Sequence, residues 1–158
     1  MMREEQLPRI PIAVSALVAL MLAMIPLPDP LGVLRPDFLV LVVFYWSIIA
    51  PRVGGLGLAF VAGLALDVLH GIVLGHHAFA LTLMAAWATQ FRLRLRVFSM
   101  MSQSLTIFAL RFGYQFILFW IDGATGNPVT SLSRWFAPIT GALIWPVLAG
   151  FLNRLNER

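Results

Sequence analysis

Charge is missing from long stretches of this chain, and that absence limits its folds more than any motif does. No Asp, Glu, Lys or Arg occurs from Ile10 to Pro28, Phe38 to Ala50, Val53 to Leu66, Val68 to Phe91, Val97 to Leu110 or Trp135 to Asn153. Only 11% of the 158 residues are charged and 60% are hydrophobic, whereas a soluble domain carries roughly a quarter charged residues. Such a chain cannot present a water-soluble surface. The gaps approach the ~20 apolar residues that carry a helix across a bilayer, and mean hydropathy is +0.89. The pattern predicts an all-α, polytopic transmembrane bundle, with residues 1–158 forming a single integral membrane domain.

Six helices fit, near residues 10–27, 36–50, 54–74, 76–91, 103–121 and 135–152, with Pro and Gly at most joints. The second is short: its residues rise only about 23 Å against a hydrocarbon core of about 30 Å. It therefore sits in thinned bilayer, is extended by its flanks, or fails to span, which leaves five spans as the rival count. The first apolar run exceeds the roughly 7–15 residues of a signal-peptide core and lacks a small-x-small cleavage site. It is read as a membrane helix.

All eleven basic residues are arginine and there is no cysteine, so no disulfide framework or thiolate chemistry is available. The arginines are scattered at segment ends and form no patch for nucleic acid. With the N-terminus inside, Arg3, Arg9, Arg52, Arg92, Arg94, Arg96, Arg154 and Arg158 are cytoplasmic. Arg35 and Arg134 fall outside, and Arg111 lies within the membrane. That bias places both termini in the cytoplasm. "RLRLR" at Arg92–Arg96 reads as a plain positive-inside anchor, with docking to anionic membrane lipids or to an acidic cytoplasmic partner as the other reading.

"GLALDVLHGIVLGHHA", Gly63 to Ala78, sets an aspartate in an apolar run. Gly55, Ala59, Gly63, Asp67, Gly71 and Gly75 recur every four residues and form a slowly drifting stripe on a helix. Small residues there allow close approach of another helix, within the chain or from a partner. Ala16, Ala19 and Ala23 make a second such face on the first helix. A buried carboxylate is costly in a bilayer and needs a partner. Arg111 shares a helical face with Ser104, Gln115 and Asp122, so an Asp67–Arg111 pair across a polar seam is expected. Asp67 as a cap at the break before "HG" is the competing reading. His70, three residues on, is near enough for a hydrogen bond to Asp67.

Pro36 and Asp37 suit a helix N-terminus, and Tyr45 and Trp46 suit the opposite interface as belt residues. No catalytic constellation, zinc-protease motif or phosphate loop is present, so no catalytic residue and no cofactor is assigned. The adjacent His76 and His77 point about 100° apart on a helix, which argues against a shared metal.

"RPDFLVLVVFYW" followed by "PRVGGLGLAFVAGLALDVLHGIVLGHHAFAL" resembles the rod shape-determining MreD family. The resemblance rests on Arg35, Pro36, Asp37, Tyr45, Trp46, Pro51, Gly63, Asp67, Gly71 and Gly75 in that order. It implies a non-enzymatic component of the cell-elongation machinery in the bacterial inner membrane. Its implied partners are MreC, MreB, RodA and the associated penicillin-binding transpeptidase. It also implies a fold similar to the substrate-binding components of energy-coupling vitamin transporters. Two functions follow: a scaffold that binds partner transmembrane helices, or a solute binder or transporter built on an Asp67/Arg111 interior. The visible absence of an internal repeat favours the scaffold.

Overall fold

The computed structural model describes residues 9–26, 28, 37–126 and 135–157. Arg35 and Pro36, expected as part of the family motif, lie outside the described residues. Within them, every regular element is helical: α1 Arg9–Met24, α2 Phe38–Ile49, α3 Pro51–Gly54, α4 Leu56–His70, α5 His76–Gln90, α6 Arg92–Val97, α7 Met100–Thr125 and α8 Ala137–Asn156. The six longer helices lie on the six apolar runs. Local chemistry sets their ends. Pro51 occupies the first turn of α3, where its missing N–H costs nothing. The Ser99 side chain accepts from the Ser102 amide at the start of α7. Gly71 ends α4 at φ 64°, a left-handed conformation open to a residue without Cβ.

Among the described residues, Pro51–His70 and Met100–Thr125 are long and apolar enough to cross a membrane, while α1 and α2 are apolar but shorter. The shortness of α2 has a structural counterpart. It is buried from Leu39 to Ile48 and packs against α1, α4, α5, α6 and α8. A helix apolar on every side is stable where other helices surround it. Tyr45 and Trp46 are therefore core residues, 3% and 0% exposed, and not interfacial belt residues. The Trp46 indole donates to Ser15 Oγ at 2.8 Å, and Tyr45 Oη donates to Asn153 of α8.

Two hairpins, α4–α5 and α7–α8, flank this central helix, and α5 packs on α7. On α7, Ile107, Leu110, Arg111, Tyr114, Gln115, Leu118 and Asp122 turn inward. Leu105, Phe112, Phe116 and Trp120 turn outward. The helical period thus separates a partly polar interior face from an apolar outer one.

Candidate functional site

The polar groups of the interior gather where α4 ends, α5 begins and α7 approaches its last turn. Asp67, fully buried in the last turn of α4, does not meet Arg111. Its Oδ2 accepts from the Gly75 amide at 2.8 Å, and Oδ1 accepts from the His77 amide at 2.7 Å and faces His77 Nδ1 at 2.9 Å. The carboxylate thus closes the turn between the hairpin helices and sits at the N-terminus of α5, where the helix macrodipole favours an anion. The capping alternative comes nearest to this arrangement, although the helix served is the following one.

The glycine stripe positions that contact. A Cβ at Gly63 would lie 2.3 Å from Ala78 Cα and 2.6 Å from Ala78 N, so α4 and α5 touch backbone to backbone. Ala59 is buried on the same side. Gly55 is pressed against the Pro51 carbonyl. Gly71 and Gly75 have open space beside them and positive φ; they serve the turn's conformation and are not packing residues. On α1, Ala19 is buried and Ala23 half-buried.

Arg111, 0% exposed, pairs with Asp37: Nη2 lies 2.9 Å from Oδ2. Asp37 thus has an ionic role beyond its place before α2, and its side chain makes no cap hydrogen bond. The guanidinium carbon sits 5.3 Å over the Tyr114 ring, and Gly141 of α8 leaves room for the arginine stem. His70 also differs from expectation: Nδ1 engages the Leu66 carbonyl at 2.8 Å instead of Asp67. Its ring stacks on His77 with centroids 5.0 Å apart.

His76 brings in Asp122, whose Oδ1 is 2.9 Å from Nε2. Sequence spacing paired neither His76 with Asp122 nor His77 with Asp67. The available signal was the glycine-bounded turn 71–75, which folds the start of α5 back onto the end of α4. One ligand atom each from Asp67, His76 and His77 lies within 4.8 Å of the others. Ligand atoms of the adjacent histidines and of Asp67 thus come within reach of one another despite the different directions of the two rings around α5.

An apolar exterior, a polar interior that largely pairs with itself and helices suited to cross a bilayer define an all-α integral membrane protein. A family model described as rod shape-determining protein MreD matches residues 5–155. The chain is also similar to the rod shape-determining protein MreD of Haemophilus influenzae. Identity is 31% over 141 residues, covering 89% of this chain and 87% of the relative. The chain belongs to the MreD family, which ties it to the determination of rod shape. No solved structure matches it.

Proposed function

We infer that the protein is a non-enzymatic membrane scaffold of the bacterial cell-elongation machinery, with both termini on the cytoplasmic side of the inner membrane. An MreC-like membrane protein is its direct partner. MreB, RodA and the elongation transpeptidase engage it directly or through that partner. The family match over nearly the whole chain carries this reading. The side-chain arrangement supports it in a second way. Gly63 is occupied by the chain's own α5, so partner helices are left the outward faces, such as Val14, Leu17, Val18 and Met21 of α1 and Leu143, Val147 and Phe151 of α8. Solute binding on a joint Asp67/Arg111 site has less support, because the two side chains engage different partners.

The test is co-purification from membranes in mild detergent. The protein is expected to retain an MreC-like partner through size exclusion. Separation of the two at matched expression, with both folded, would reject the scaffold reading.

A further inference from the structure

All three histidines of the chain fall in one cluster, with Asp67 and Asp122 beside them. The geometry points to a divalent-cation site of the zinc type, formed by Asp67, His76 and His77 with Asp122 supporting it. Ligand atoms from the first three converge within 4.8 Å, and Asp67 Oδ1 and His77 Nδ1 are already 2.9 Å apart. Zinc bonds of about 2.0–2.2 Å in a tetrahedral arrangement set ligand atoms about 3.3–3.6 Å apart, so the Asp67–His77 pair opens slightly and the most distant of the three atoms moves inward.

His76 is the independent sign of a ligand. Its side chain is 9% exposed, yet neither ring nitrogen makes a hydrogen bond, although Nε2 lies close to Asp122. Nδ1 thus has neither a hydrogen-bond nor an ion-pair partner, which is costly for an interior imidazole, and a metal bond satisfies its lone pair. The carboxylate of Asp67 is held in place by the Gly75 and His77 amides. The cation replaces the His77 ring proton opposite Oδ1, and His77 then carries its proton on Nε2. Asp122 either orients the His76 ring or fills the fourth position. Such a carboxylate–histidine–metal relay is a common outer-shell arrangement. Two carboxylates and two neutral imidazoles balance a divalent ion inside an apolar bundle. The nitrogen donors favour zinc over calcium or magnesium, which prefer oxygen ligands. A cleft of about 390 Å³ between the 71–75 turn and the end of α7 has His76 in its wall and provides an entry path.

The test uses the full chain in detergent, purified through a tag free of histidine, stripped with chelator and titrated with zinc chloride or cobalt chloride. One zinc per chain should survive desalting, and cobalt should give the intense visible absorption of a four-coordinate site. His76→Gln and His77→Gln should each weaken zinc binding at least about tenfold, and Asp122→Asn about 10–100-fold. Zinc bound no more tightly by the parent than by the His76→Gln/His77→Gln double variant would overturn the site. So would a weak, octahedral cobalt spectrum. The polar contact His76 gives up is Nε2 to Asp122, to which the glutamine amide can still donate, so His76→Gln should fold, and its metal-free melting temperature checks this. If it does not fold, the parent's cobalt spectrum decides. The measurement needs no partner protein, so failure of the scaffold reading leaves it intact.

Discussion

Arg111 shows how a cation is kept inside an apolar bundle. Its stem is enclosed by α7 and α8, Nη2 meets Asp37, and the Tyr114 ring lies under the guanidinium. Nε and Nη1 have no hydrogen-bond partner. Asp37 is half-exposed while Arg111 is sealed, so the two ends of the pair differ in cost. Removing the carboxylate strands a buried cation, a loss of about 3–5 kcal/mol. Removing the cation leaves a carboxylate that water can reach. Asp37→Asn should therefore lower thermal stability in detergent more than Arg111→Met does, and the double variant should recover much of the Asp37→Asn loss. Equal single losses that simply add would break the pair. Asp67→Asn is a separate case. An amide offers one acceptor oxygen to the groups now gathered on the carboxylate, and each charge-assisted bond lost costs about 1.5–3 kcal/mol. Arg111→Met should give no rescue of Asp67→Asn comparable to its rescue of Asp37→Asn.

Among the helices, the α4–α5 hairpin depends most sharply on a single residue. Even one methyl group at Gly63 collides with the Ala78 backbone, which cannot turn aside as a side chain can. Gly63→Ala should therefore force the helices apart and cost about 1–3 kcal/mol or more, as overpacking does. Gly57 on the same helix and Gly150 on α8 have nothing within 4 Å. Alanine at either should be neutral or stabilising by up to about 1 kcal/mol through helix propensity. Unfolding measured on the three variants separates the effects, and a harmless Gly63→Ala would show that the helices do not touch there. The period-four repeat made this stripe legible in sequence. Its partner was not legible, because a small-residue face fits a helix of the same chain as well as one from another protein. Gly71 and Gly75 share the spacing yet serve the turn, since φ and not contact selects glycine there.

Over the whole molecule, apolar side chains face outward on α1, α4, α7 and α8, and the arginine bias of the sequence predicts cytoplasmic termini. Reporter fusions after Arg96 and at the C-terminus should read cytoplasmic, and fusions at residues 32 and 127 should read periplasmic. Reversal at both ends would reject the both-termini-inside arrangement and the orientation assigned to the scaffold. The hidden position of α2 bears on the span count. A helix enclosed by its neighbours meets little lipid, so its hydrophobic length does not have to match the bilayer as that of a peripheral helix does.

The short helices α3 and α6 were not legible in the sequence. The six longer helices, their approximate placement and the membrane character follow from the sequence alone, because they depend on one-dimensional quantities: the length of uncharged runs, the Gly and Pro between them, and the scarcity of charge. The family was legible for the same reason, through ordered residues in a continuous stretch. Pairing was decided only by tertiary structure. Asp67, His76, His77, Arg111, Asp37 and Asp122 were each visible as polar residues that needed partners. A helix face admits several partners, and the choice depends on rotation and depth, which spacing along one helix does not encode. The 71–75 turn made that choice for Asp67 by folding α5 onto α4, and the burial of α2 brought Asp37 within reach of Arg111.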